Sequence, residues 1–112
     1  MSVYNNVLET IGNTPLIRLN HFSEKLNLNV YAKVEAYNPG HSAKDRIALY
    51  MIEKAEKEGK IKPGATIIEA SSGNTGFAIA MVCAIKGYRA LITVSSKISS
   101  EKLNQLRAMG AE

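Results

Sequence analysis

ATIIEASSGNTGFAIAMVCAIK, Ala65–Lys86, sets the architecture of this chain. ATIIEA is a short run of apolar, partly β-branched residues and reads as a buried strand. SSGNTG, Ser71–Gly76, is a polar turn with two glycines. From Thr75 to Lys86 nearly every position is apolar, and Gly87 ends the run. A helix with that pattern is covered on several sides. The turn therefore joins the carboxyl end of a strand to the amino end of a helix, where open α/β sheets bind ligands. Ser71, Ser72, Asn74 and Thr75 supply four short hydrogen-bonding side chains, and Gly73 and Gly76 let the backbone approach a ligand closely. Free amides and the helix dipole favour an anion at this point. The turn reads as a carboxylate or phosphate cradle; the same residues would also serve an ordinary capped helix start. It is not a P-loop, since no Gly-Lys-Ser/Thr follows, and not G-x-G-x-x-G.

Downstream, Arg89–Ser95 reads as the next strand. Ser99–Met109 reads as the next helix, with Leu103, Leu106 and Met109 on one side and Gly110 as its cap. Ala111-Glu112 begins a further element. Upstream, a helical pattern runs from an N-cap at Ser42 to about Glu58, with Ile47, Ala48, Met51, Ile52 and Ala55 on one apolar face and Gly59 as its stop. Strand–helix alternation predicts a parallel sheet with flanking helices, an α/β fold. Further upstream, Thr14–Asn20 and Asn29–Tyr37 read as two strands able to pair, joined by a polar connection over His21–Asn29. Met1–Thr10 has helix-compatible residues without a period. The expected organisation is a two-strand segment over 1–37 and a partial α/β domain over 38–112. A two-strand parallel sheet has two faces to cover. The chain thus reads as the N-terminal piece of a longer protein, with a complete small α/β domain as the alternative.

NPGHSAKDR, Asn38–Arg46, is the second informative stretch. Asn-Pro-Gly is a turn, because Pro39 fixes φ and Gly40 tolerates unusual φ. Lys44 then falls in the first helical turn, facing the positive end of the helix dipole. A disfavoured ammonium has a lowered pKa and suits Schiff-base chemistry. Asp45 beside it could offset the dipole, and a solvated surface lysine is the plain alternative.

Composition excludes several classes. The chain has 112 residues, 46% hydrophobic and 21% charged, with a formal net charge of +4. That is an ordinary balance for a soluble globular protein. Basic residues are scattered rather than blocked, which argues against nucleic-acid binding. The longest near-apolar run, Phe77–Ile85, is far short of the ~20 residues a membrane span needs. No basic-then-apolar leader opens the chain, and Cys83 is the single cysteine, so a cytoplasmic location is expected. Cys83, Met51, Met81 and Met109 read as core. His21 and His41 lie near no acidic or cysteine cluster, so no metal site is expected. No paired arrangement stands out among Glu35, Glu69 and the helix carboxylates.

Taken together, NPG-x-S-x-KDR, followed about thirty residues later by a strand and SSGNTG, resembles the fold-type II pyridoxal-phosphate enzymes. Within them it is most similar to the cysteine synthase and cystathionine β-synthase group. IGNTPLIRLN (Ile11–Asn20), KPGATIIEA and RAMGAE extend the resemblance over essentially the whole chain. It departs at Ser71, where Thr is usual, at Ala70, where Pro or Gly is common, and at Phe77-Ala78, where Ile-Gly is common; His41 fills the family's variable position. His41 and Phe77 bear on pocket size and so on the substrate.

The resemblance implies the smaller N-terminal domain of such an enzyme, with the first two strands packing on a larger domain. It implies pyridoxal 5′-phosphate as cofactor, with Lys44 carrying it as an internal aldimine and then serving as general base. Asn74 would bond the cofactor's phenolic oxygen. Ser71, Ser72, Gly73, Asn74 and Thr75 would hold the carboxylate of a small amino-acid substrate, and Asp45 and Arg46 would brace the loop. Loss of acetate or water leaves an aminoacrylate, to which sulfide or a thiol adds. The reaction implied is cysteine synthesis from O-acetylserine and sulfide by a homodimeric enzyme. Cystathionine β-synthase acting on serine and homocysteine is the alternative. Serine/threonine dehydratase or threonine synthase fits less well with KDR and a complete SGNTG. A non-catalytic anion-binding or interaction module is the alternative from another class. The family's glycine-rich phosphate loop and its partner for the pyridine nitrogen come later than these residues. The 112 residues alone are therefore expected to be inactive, to bind the cofactor weakly or not at all, and to self-associate through strand edges.

Overall fold

The computed structural model describes residues 1–112. Its centre is the β–turn–α unit. β3 (Thr66–Ala70) and β4 (Arg89–Thr93) pair in parallel, with Thr66 opposite Arg89 and Ala70 opposite Thr93. Between them runs α3 (Asn74–Lys86), which packs on both strands, on α2 (Lys44–Lys57) and on α4 (Ser100–Ala108). That explains why α3 is apolar all round: Ala78, Ile79, Ala80, Met81, Val82 and Cys83 are all buried in consecutive order. Fully burying an aliphatic side chain of this size contributes about 1.5–3 kcal/mol. Cys83 behaves as a small core residue, and burial pushes its thiol up to about 11.

The sheet has one covered face. Ala90 and Ile92 of β4 are buried and Ile67 and Glu69 of β3 are half-buried, whereas Ile68 is 66% exposed. The expectation that β3 is a buried strand is corrected: it is wholly buried at no position, because α3 packs on one side only. The same reasoning corrects the apolar face of α2. Ala48 and Ile52 are buried as expected, but Ile47 and Met51 are 45% and 43% exposed, so Met51 is not core. Beyond the Gly110 cap, Glu112 lies along the free edge of β4. Its N–H donates to the Ala90 carbonyl at 2.8 Å, and its carbonyl accepts from Ile92 N–H at 2.8 Å.

The N-terminal part is a separate antiparallel pair, β1 (Leu16–Arg18) with β2 (Tyr31–Lys33), joined through α1 (Asn20–Leu26). Buried Ser23 ties this connection down, its Oγ accepting from Val30 N–H at 3.1 Å. The pair forms as expected, but Asn29–Tyr37 is not one strand. It stops at Lys33, and Glu35–Tyr37 turns into a single 3-10 turn. All three β1 residues are exposed. The radius of gyration, 16.9 Å, exceeds the about 13 Å of a compact domain of this length. No helix is long and apolar enough to cross a membrane.

Candidate active site

The lysine turn is built around Asn38, which is 1% exposed. Its Nδ2 donates to the Glu35 carbonyl (2.9 Å), to Glu35 Oε2 (2.9 Å) and to the Ser42 carbonyl (3.0 Å). Its Oδ1 accepts from Gly12 N–H at 2.8 Å. α2 begins at Lys44 with Ala43 in the N-cap position, one residue later than the expected cap at Ser42. Ser42 still serves the helix start, since its Oγ accepts from Lys44 N–H at 3.2 Å. The Lys44 side chain is exposed.

Asp45 and Arg46 brace this turn from two sides. Asp45 is fully buried; its Oδ2 accepts from Gly40 N–H while its Oδ1 has no partner. Burial pushes its carboxyl above the usual range. His41 adopts a left-handed φ of 60°, and its Nδ1 lies 3.2 Å from the Ala36 carbonyl. Arg46 forks onto Glu35, with Nε to Oε2 at 2.8 Å and Nη2 to Oε1 at 2.9 Å. Nη2 also donates to the Gly12 carbonyl at 3.0 Å. Thr14 Oγ1 donates to Glu35 Oε1 at 3.0 Å. Glu35 is thus a structural partner that the sequence reading left unpaired. The Arg46 fork, helped by Asn38 and Thr14, holds its carboxyl down to about 2.

This has a consequence in acid. A carboxylate with a depressed folded pKa stabilises the fold above its unfolded value near 4.5, and that contribution is lost as pH falls toward about 2. Asp45 acts in the opposite sense, because its folded pKa is raised and protonation relieves its burial. Glu35→Gln is expected to flatten the loss of stability between pH 4.5 and 2, measured by urea unfolding across that window. An unchanged slope would show that the Glu35–Arg46 pair carries none of it.

The second turn opens α3. Ser71 Oγ accepts from Gly73 N–H at 3.2 Å, folding the backbone before the helix. Gly73 is the N-cap residue, and no side chain caps this end. By contrast, Ser99 caps α4 by accepting from Lys102 N–H. The sequence alternative of an ordinary side-chain-capped start is therefore not what forms at α3. Ser71 and Thr75 are half-buried, and Ser72 and Asn74 are exposed. Gly76 sits tight: a Cβ there would meet the Ser71 carbonyl oxygen at 2.6 Å and Ile92 Cγ2 at 3.2 Å. Ser72 also lines a polar cleft of about 410 Å³ with Ser95, Lys97, Ser99 and Lys102.

No hydrogen bond joins Lys44 to Ser71–Thr75; each turn opens one of two helices packed together. The donor set fits pyridoxal phosphate in part. An exposed primary amine stands at a rigid helix start, and an uncapped helix end carries Ser, Asn and Thr. After Gly87 the one further glycine is Gly110, so no glycine-rich turn follows Gly87 within these residues.

An αβ unit with a lysine turn on one helix and SSGNTG on the next defines a class of protein, and the family comparison agrees. The chain belongs to the pyridoxal-phosphate dependent enzyme family, which matches residues 7–112. Among relatives, it is 54% identical over 107 residues to cysteine synthase of Staphylococcus aureus (strain Mu50 / ATCC 700699), covering 96% of this chain and 34% of that protein. It is 52% identical over 110 residues to cystathionine beta-synthase of Saccharomyces cerevisiae, covering 96% of this chain and 22% of that protein. Among solved structures, O-ureido-L-serine synthase superposes with a TM-score of 0.91 at 44% identity, covering 99% of this chain and 35% of that one. A hydrogen sulfide-producing enzyme from Fusobacterium nucleatum gives 0.88 at 47% identity, covering 100% and 37%. The fold is that of fold-type II pyridoxal-phosphate enzymes, and the chain spans about a third of the length of these structures.

Proposed function

We propose that these residues form the lysine-bearing part of a pyridoxal-phosphate enzyme that replaces the β-substituent of a serine-type amino acid, making cysteine from O-acetylserine and sulfide. The observation that carries the proposal is the pairing of Lys44, exposed at the start of α2, with the uncapped SSGNTG turn at the start of α3. The 54% identity to a cysteine synthase over 96% of the chain supports the choice of reaction.

Each residue then has a task. Lys44 Nζ would hold the cofactor and would serve as the base for the substrate's α-proton. One lysine can do both, because each task needs an amine that is neutral for part of the time. Ser71, Ser72, Gly73, Asn74 and Thr75 bind the substrate carboxylate, with hydroxyls and the first-turn amides of α3 as donors. The Asn74 side chain would help hold the cofactor ring. The cofactor, when bound, supplies an electron sink for the bond broken at the α-carbon. Cystathionine beta-synthase chemistry is the second reading, favoured by the 52% identity to the yeast protein. Both reactions use the same two turns.

The test is reduction with borohydride after mixing with pyridoxal phosphate, followed by peptide mapping. Reduction traps even a weakly held adduct. Lys44 is expected to be labelled ahead of the other lysines, and Lys44→Ala to leave only diffuse labelling. Labelling spread evenly over the lysines of the unaltered chain would refute the assignment of Lys44.

A further inference from the structure

We propose that Asn38 and Glu35 are positioning residues for Lys44. The inference rests on the reading of Lys44 as the cofactor lysine, yet neither residue touches its side chain. They act on residues on both sides of it, Asn38 on the Ser42 backbone and Glu35 on the Arg46 side chain.

Lys44 carries its amine at the end of a flexible four-carbon stem, so small tilts of the first turn of α2 move the amine a long way. The Lys44 N–H is held by Ser42 Oγ at 3.2 Å. Ser42 is itself held through its carbonyl, which accepts from Asn38 Nδ2 at 3.0 Å. Two residues beyond Lys44, the Arg46 guanidinium is gripped by both Glu35 oxygens. The two grips meet, because Asn38 Nδ2 also donates to Glu35 Oε2 at 2.9 Å. Asn38 Nδ2 has two hydrogens for three acceptors, so its donor capacity is fully used, and its Oδ1 accepts from Gly12 N–H. A buried amide in that state admits one orientation, because any other strands acceptors out of water. Ser42 and Arg46, which flank Lys44, are thus referred to one buried hub.

The hub also reaches back along the chain. Gly12 donates its N–H to Asn38 and its carbonyl accepts from Arg46. A side chain at Gly12 would press on the guanidinium, with Nη1 2.7 Å from a Cβ. Residues some thirty positions before Lys44 therefore set the direction of the helix start.

Asn38→Asp tests this at constant shape. It removes the amide donors and sets a second carboxylate against Glu35. The chain and its variants would be compared by the rate of borohydride-trapped pyridoxal phosphate labelling at Lys44 relative to the other lysines. Hydrogen exchange of the 42–46 backbone, under conditions where α3 remains protected, would be followed alongside. Misplacement by about 1 Å can cost up to about a hundredfold in a positioned reaction. Asn38→Asp is expected to lower the Lys44 share at least tenfold and to speed exchange across 42–46, with exchange in α3 unchanged. Glu35→Gln, which keeps side-chain size and lies outside the core, is expected to show the same change to a smaller degree. It stands as the second variant where Asn38→Asp does not fold. Leu106→Ala, a core change in α4, is the control and should lose stability without loss of Lys44 selectivity. The proposal is overturned where Asn38→Asp or Glu35→Gln keeps wild-type selectivity and 42–46 exchange, or where Leu106→Ala lowers selectivity as much. Absence of Lys44 selectivity in the unaltered chain sinks the reading of Lys44. The exchange measurement then decides by itself whether Asn38 and Glu35 hold this backbone.

Discussion

Replacing Gly76 by Ala should lower the melting temperature by roughly 5–15 °C, taking about 4–8 °C per kcal/mol for a small domain. Two effects oppose each other. Alanine is the better helix former, by about 0.5–1 kcal/mol. Against that, a Cβ at Gly76 meets the Ser71 carbonyl oxygen at 2.6 Å and Ile92 Cγ2 at 3.2 Å. The first of these is backbone, so the turn itself must shift, and overpacking of this kind costs about 1–3 kcal/mol. The net expectation is a loss of about 1–2 kcal/mol. Thermal unfolding followed by circular dichroism measures it. A melting temperature equal to or above that of the unaltered chain would mean that the Ser71 peptide yields freely, and that the turn is not held at one distance from α3.

Gly40→Ala should be comparably damaging, for a different reason. Its Cβ would overlap Asp45 Oδ1, and Asp45 is fully buried on a short side chain. The carboxylate can retreat only by giving up the Gly40 N–H, the one hydrogen bond its Oδ2 has from this turn. A buried carboxylate stripped of its donor costs at least the about 1–3 kcal/mol of an unmade hydrogen bond. The expected outcome is a drop in stability of about 2–3 kcal/mol in urea unfolding. Adding Asp45→Gly to Gly40→Ala should recover part of it by clearing the overlap and the charge together. A double variant no more stable than Gly40→Ala would locate the damage elsewhere.

Much of this architecture is legible in the linear sequence. The switch from alternating to helical periodicity after Ser42, the all-apolar run Thr75–Lys86 and the stops at Gly59, Gly87 and Gly110 locate α2, α3 and α4 within a residue or two. What escapes are features decided by distant partners. Asn29–Tyr37 alternates like a strand to its end, but Glu35 is drawn aside by Arg46 and Asn38, and no periodicity records that pull. Ile47 and Met51 share the apolar stripe of α2 with Ala48 and Ile52, but a stripe does not say how much of it α3 covers. Of the candidate site, Lys44 and the SSGNTG turn are visible as residue types at helix starts. The buried role of Asn38 is not, because an Asn before Pro-Gly reads first as a turn former.

The β1–β2 pair is tied to the start of α2 by directional bonds, from Gly12, Thr14 and Glu35 to Asn38 and Arg46. An apolar seam lets two bodies slide past one another at little cost, since contact area changes slowly with angle. A seam of hydrogen bonds to a guanidinium fork behaves as a latch: it is either seated at one angle or open. The N-terminal pair is therefore set at a fixed bearing, and the latch loosens in salt or acid sooner than the greasy packing around α3.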